Sequence, residues 1–207
     1  MKIYDITLTL DNNTPVYPGD PKTSVKKWND IENGEPANLS EISFSSHAGT
    51  HADAPKHFFQ NGDGIDKISL DYFYGNAKVF DMRGIEKIEA ADLINKDIQN
   101  NDIILLKTDN SLKNGSNENP VYISCSAAQY LKNKRIKTLG FDYMTIESEN
   151  DHDYTAHKTL LGNGIIIIES LLLKDIDEGD YFLSACPLKL KDCDGSPLRA
   201  ILISVKD

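Results

Sequence analysis

Apolar and polar positions alternate from the start of the chain. Ile6, Leu8 and Leu10 fall on one face of an extended segment and predict a first strand. A turn-rich stretch follows, DNNTPVYPGDP, whose prolines and glycine read as a loop. Ile42 and Phe44 mark a short strand running directly into a histidine-rich segment. Residues 78–82 read as another strand, residues 90–98 have helical spacing, and residues 103–106 form a continuous apolar run of the kind buried on two faces. Ser124 or Ser126 can cap a helix through Leu131. Residues 138–141 predict a short strand. Residues 153–161 predict a helix that Gly162 ends by accepting a left-handed conformation. Residues 165–168 are four isoleucines, closed by Glu169, and strands are also expected near residues 181–185 and 198–205. Strands alternating with a few helices, without an internal repeat or low-complexity linker, predict a mixed α/β or α+β domain.

Composition narrows the function. A chain of 207 residues suits one domain over residues 1–207, with a sizeable core. The formal net charge of −10 repels phosphate backbones and anionic lipid, so neither nucleic acid nor a membrane is an expected partner. No apolar run reaches the roughly 18–20 residues of a membrane span. The first ten residues alternate and carry Asp5, unlike a secretory signal, so a cytoplasmic location is expected. Cys125, Cys186 and Cys193 lack CxxC spacing and read as reduced, structural thiols.

The chemistry concentrates between Ser46 and Phe58, in SHAGTHADAPKHF. His47, His51 and Asp53 are all odd-numbered, so an extended path aims them to one side. Gly49 and Pro55 argue against a helix, and the segment reads as a strand end plus loop. Imidazole and carboxylate donors without thiolate suit zinc, manganese or iron in a catalytic site. Far along the chain, His157 lies in a predicted helix. Glu169 follows four isoleucines, where an ionised carboxylate is costly to bury without a partner. A metal would supply that partner, and emergence into solvent at a strand end is the plainer alternative.

HAGTHADAPKH resembles the HxGTHxDxPxH signature of the cyclase family of metal-dependent hydrolases, whose members include bacterial kynurenine formamidases (arylformamidases) and isatin hydrolases. TPVYPGDP, LGFDYMTIE, DEGDY and ACPLKLKDCDGSPLRA are similar to earlier and later family segments, in order along most of the chain. The resemblance implies a compact α/β domain with a barrel-like β core flanked by helices, of the swivelling β/β/α type. It implies an assembly of two or more copies, as a homodimer or homotetramer. It also implies a site for two divalent ions, two Zn2+ per subunit or alternatively Mn2+. His47, His51 and Asp53 would hold one ion; Asp53 and Glu169 would bridge to a second, also held by His157. His57 would be the proton donor and acceptor. Tyr17 stands where the formamidases carry a tryptophan that covers the aromatic substrate, and it is the candidate substrate-binding residue, with Pro18 and Asp20 beside it.

The resemblance implies hydrolysis of an amide or formamide C–N bond in a small molecule by metal-bound hydroxide, arylformamidase-like. Isatin-type opening of a cyclic amide is the main alternative, since the same chemistry serves both and pocket shape separates them. A non-catalytic metal-binding member has no need of a placed proton shuttle. A non-haem iron oxygenase fits His51, Asp53 and His157 but leaves His47, His57 and Glu169 unused. His152, in a polar run, has no assigned role. Asp142 is expected to make a structural hydrogen bond.

Overall fold

The computed structural model describes residues 1–112 and 119–204. Along the chain the strands and helices are β1 (Lys2–Asp5), β2 (Ser24–Asn29), β3 (Leu39–Ser43), β4 (His51–Asp53), β5 (Tyr74–Asp81), β6 (Lys87–Ile88), α1 (Ala90–Leu93), β7 (Ile103–Lys107), β8 (Tyr122–Ile123), α2 (Cys125–Lys134), β9 (Thr138–Phe141), α3 (Thr155–Leu161), β10 (Ile166–Glu169), β11 (Gly179–Ser184), β12 (Gly195–Pro197) and β13 (Ile201–Ser204). Nine strands form one sheet in the order β1-β13-β11-β5-β7-β9-β10-β4-β12. Its centre, β5-β7-β9-β10, is parallel, and its flanks are antiparallel. Thr7, just past β1, bridges Leu171, just past β10, and the Leu172 amide donates to the Ile6 carbonyl at 2.9 Å. Positions far apart in strand order therefore meet, and the sheet curls into a half-barrel.

The pleat divides the core into two. Ile104 and Leu106 of β7, Leu139 and Phe141 of β9, and Ile167 of β10 pack with Leu93, Leu131, Leu160 and Leu161 of the helices. The alternate residues Ile103, Leu105, Ile166 and Ile168 join Ile6, Ala52, Leu183 and Leu202 inside the curl. All five residues of β7 are buried, as the continuous apolar run predicts. The mixed α/β fold with a barrel-like β core agrees with expectation. No helix among the described residues is long and apolar enough to cross a membrane.

Several predicted elements shift. The first strand pairs at residues 2–5 instead of 6–10. The Ile6 amide donates to Ala200, and the Leu8 amide is taken by the Thr50 hydroxyl at 2.8 Å instead of a ladder partner. The helix expected over 90–98 stops at Leu93, because tight turns replace it: Lys96 donates to the Leu93 carbonyl at 3.0 Å and Ile98 to that of Lys96 at 2.8 Å. Ser124, not Ser126, caps α2, accepting from the Ala127 amide at 3.1 Å. Gly162 ends α3 in a right-handed conformation, with φ of −67°. The left-handed residue is Gly164, at φ 74°. Gly162 instead supplies close approach, since a Cβ there would lie 2.6 Å from the Lys158 carbonyl oxygen. The last strand covers Ile201–Ser204, and Val205, the end of the expected strand, lies outside the described residues. β2 and β3 form a separate two-stranded arm in which Val25 faces Ile42, and Trp28, Leu39 and Ile42 are exposed. Phe44 falls beyond this arm. The three cysteines are free.

Candidate metal centre

Strand register brings the first carboxylates and imidazole together. β4 runs antiparallel to β10, with His51 opposite Glu169 and Asp53 opposite Ile167. Directly opposed residues share a face. His51, Asp53 and Glu169 therefore point to the helix-covered side with Ile167, while Ala52 and Ile168 pack inside the curl. α3 crosses that side and delivers His157, which is buried. His51 and Asp53 thus share a strand face as their odd spacing predicts, whereas His47 lies outside β4. His47 arrives through a turn in which the Ala48 amide donates to Ser45 and Gly49 adopts a φ of 59°. That left-handed conformation favours glycine, and a Cβ there would also sit 2.6 Å from Leu10 Cδ2, so the leucine side chain would have to shift. Thr50 fixes the segment from the other side: its hydroxyl donates to the Ser170 carbonyl at 2.6 Å while accepting from Leu8.

Each imidazole has an outer nitrogen engaged by an oxygen and an inner nitrogen facing a carboxylate. His51 places Nδ1 2.8 Å from the Gly49 carbonyl, and its Nε2 lies 3.4 Å from Asp53 Oδ1 and 3.4 Å from Glu169 Oε2. His157 places Nδ1 3.2 Å from Glu147, and its Nε2 lies 3.2 Å from Glu169 Oε1 and 3.5 Å from Asp53 Oδ2. His47 places Nε2 2.8 Å from Asp194 Oδ2 and Nδ1 2.8 Å from Asp53 Oδ1. Asp53 faces its neighbours with different oxygens, and its Oδ2 is buried without a hydrogen-bond partner among the described residues. Among the described residues, two sets of donor atoms each converge within 4.8 Å: His51, Asp53 and Glu169, and His47, Asp53 and His57. The His57 ring lies against that of His47, with centroids 4.0 Å apart, and its Nδ1 is 3.7 Å from Asp194. His57 is thus within reach of a cation as well as of the cavity.

Charge is balanced inside the cluster. Burial alone would lower the pKa of His47, but the Asp53 charge and hydrogen bonds to Asp194 and Asp53 outweigh it and raise the value from 6.5 to about 10. Burial likewise opposes protonation of His51, yet hydrogen bonds to Asp53 and Glu169 bring it up to about 9. For His157, burial is outweighed by Asp53, Glu147 and Glu169, and the pKa rises well above 6.5. Burial would raise Asp53, but the His47 charge, the hydrogen bond from His47 and the approach of the His157 and His51 imidazoles hold it well below 3.8. Glu169 is raised by burial and by Asp53, and hydrogen bonds from His157 and His51 reverse this to a net lowering. Protons on inner imidazole nitrogens therefore face the carboxylates. Replacing them with a divalent cation keeps the same attraction and gives Asp53 Oδ2 a partner. Three imidazoles and two carboxylates fit zinc or manganese by donor type.

A cavity of about 420 Å3 opens over the cluster, walled by Tyr17, His57, Phe58, Met144 and Tyr154. Phe58 lies 5.1 Å from the Tyr154 ring and 5.1 Å from that of His157. Asp20 also reaches the cavity, while Pro18 is exposed in the same loop. His152 is exposed. Asp142 is buried and accepts from the amides and hydroxyls of Thr108 and Ser111, a structural arrangement. Sequence reasoning missed Glu147, Asp194, Phe58 and Tyr154. Phe58 directly follows His57, and Asp194 immediately precedes the short strand β12, but single residues in irregular segments carry no periodic signal. Tyr154 has a left-handed backbone, φ 53°, at the start of α3, a conformation that tyrosine rarely adopts.

The "Putative cyclase" family model matches residues 4–148. A kynurenine formamidase from Bacillus cereus is 33% identical over 202 residues, covering 96% of this chain and 95% of that protein. A solved structure described as a potential metal-dependent hydrolase with cyclase activity is 37% identical, covers 97% of this chain and 96% of its own, and superposes with a TM-score of 0.86. Isatin hydrolase A from Labrenzia aggregata shares the fold, with a TM-score of 0.85 at 24% identity over 99% of this chain and 94% of its own. The chain belongs to the cyclase family of metal-dependent hydrolases.

Proposed function

We propose that this protein hydrolyses the C–N bond of an aryl formamide, N-formylkynurenine or a close relative, at a divalent metal centre held by His47, His51, Asp53, His157 and Glu169. The observation that carries this reading is the convergence of three inner imidazole nitrogens on two buried carboxylates, one oxygen of which lacks a hydrogen bond. Five donors exceed the four of a single tetrahedral zinc, and Asp53 turns a different oxygen to each side, which favours two Zn2+ ions or two Mn2+ ions. Bound there, such ions lower the pKa of water toward neutrality and polarise a carbonyl oxygen.

The chain's own groups supply the rest. His57, partly exposed to the cavity, takes a proton from the attacking water and returns it to the departing nitrogen as the C–N bond breaks, giving formate and a free amine. Phe58, Tyr17 and Tyr154 present ring faces and edges to a planar substrate. The names of the curated relatives support the formamide class. A non-catalytic role leaves His57 without a purpose at the cavity mouth. A homodimer or homotetramer belongs to the same proposal, supported by the exposed Trp28, Leu39 and Ile42 of the β2–β3 arm.

Zinc- or manganese-loaded protein should be assayed on N-formylkynurenine, simpler aryl formamides and isatin. Formate release from the formamides is the expected outcome. Turnover of isatin alone would assign cyclic-amide opening instead, and failure on every compound would refute the hydrolase reading.

A further inference from the structure

Asp194 sits at an unusual junction. Its Oδ2 is 2.8 Å from Nε2 of His47 and 3.7 Å from Nδ1 of His57, two rings that lie against each other at a tilt of 33°. Its other oxygen accepts from the Ser46 hydroxyl at 3.1 Å, and its backbone carbonyl accepts from the Ala54 amide at 2.9 Å. Asp194 is therefore anchored on each side of β4, its carboxylate through Ser46 and its backbone through Ala54. The next residue, Gly195, pairs with Asp53 across β4 and β12. A Cβ at Gly195 would lie 2.8 Å from His47 Cε1, so glycine lets the ring settle against β12. The Asp194–Gly195 pair thus forms the outer wall of His47: one residue clears the space and the other holds the ring edge.

We propose that Asp194 is a shared positioning residue, whose single oxygen orients the cation-facing His47 and the proton-transferring His57 together. Accepting from His47 Nε2 leaves Nδ1, the nitrogen nearest Asp53, as the one offered to a cation, the arrangement by which outer carboxylates orient metal-binding imidazoles. The 3.7 Å separation from His57 is too long for a hydrogen bond, so that ring is guided and not locked. Facing Nδ1 toward Asp194 turns the Nε2 edge away, as the ring nitrogen for a substrate. The His57 half of this inference rests on the hydrolytic reading above; the His47 half does not.

The test combines metal affinity with a double-mutant cycle. Zinc is titrated calorimetrically into chelator-stripped wild type, Asp194→Ala, His57→Ala and the double variant, and kcat is measured at saturating zinc. Asp194→Ala is expected to weaken zinc binding by about 10–100-fold and to lower kcat. In the His57→Ala background it should still weaken zinc but reduce kcat little further. Unchanged affinity in Asp194→Ala, or kcat losses that multiply independently, would overturn the proposal. Nitrogen NMR of zinc-loaded wild type requires no variant and covers a failure to fold: His47 should carry its proton on Nε2, and a proton on Nδ1 overturns the assignment. Wild type that binds zinc yet hydrolyses nothing would refute the function while leaving the affinity and NMR results to decide the role of Asp194.

Discussion

His57 and its neighbours divide the work of imidazole at the scale of single residues. His47, His51 and His157 each have an outer nitrogen tied to an oxygen, whereas among the described residues the His57 ring has the looser approach to Asp194, at 3.7 Å. Replacing His57 with alanine should reduce turnover by about 10²–10⁴-fold, the usual contribution of a placed acid–base group, while metal content by elemental analysis stays near that of wild type. Metal lost together with activity would make His57 a ligand instead. Tyr17→Ala should raise KM for an aryl formamide roughly threefold to tenfold, corresponding to about 0.5–1.5 kcal/mol of lost ring contact, with kcat little altered. An unchanged KM would remove Tyr17 from the substrate site. His47, His51 and Asp53 were legible because their donor types crowd into one short motif; Glu169 was legible only through the family resemblance, since a carboxylate closing a strand of isoleucines reads as readily as a strand end meeting water. Glu147 and Asp194 were not, since an acidic residue in a polar loop looks the same whether it meets water or an imidazole.

Elements place these side chains, and their own packing sets the tolerance. Gly140 in β9 lies opposite Leu105 of β7, and a Cβ there would come within 2.2 Å of Leu105 Cδ2 and 2.7 Å of Leu171 Cδ1. Gly140→Ala should therefore destabilise the fold by about 1–3 kcal/mol through overpacking, read as a lower urea midpoint. A midpoint matching wild type would mean that the two leucines repack freely. The strands β7, β9 and β10 were readable because burial on two faces leaves continuous apolar runs. The true first strand, Lys2–Asp5, was not, since it is an edge strand whose residues are largely exposed. The left-handed turn at Gly164 and the early stop of α1 depend on local hydrogen bonds that hydrophobic spacing does not register.

At the scale of the whole molecule, the curl of the sheet brings β4, β10, β12 and α3 around one buried set of charges, and folding is thereby linked to pH. His47 and His51 have pKa values raised from 6.5 to about 10 and about 9, so in metal-free protein their stabilising contribution is complete below 6.5 and is lost as pH rises through 9 to 10. Asp53 and Glu169 are lowered from 3.8 and 4.5, so their contribution is complete above 4.5 and is lost in acid. The Tm of metal-free protein should peak between pH 4.5 and 6.5 and fall toward pH 10. Because a cation needs neutral imidazoles, its stabilising effect should grow with pH as binding releases protons. A metal-free Tm that climbs from pH 6.5 to 10 would contradict this charge arrangement. Global curvature and the joining of distant segments at one site were legible only through family resemblance, because neither leaves a local pattern in the chain. Hydrolysis of N-formylkynurenine measured before chelation, after it, and after zinc or manganese is restored decides whether the reaction depends on the metal. Activity should disappear with the metal and return with it; an undiminished rate in the chelated protein would refute a metal-dependent hydrolase.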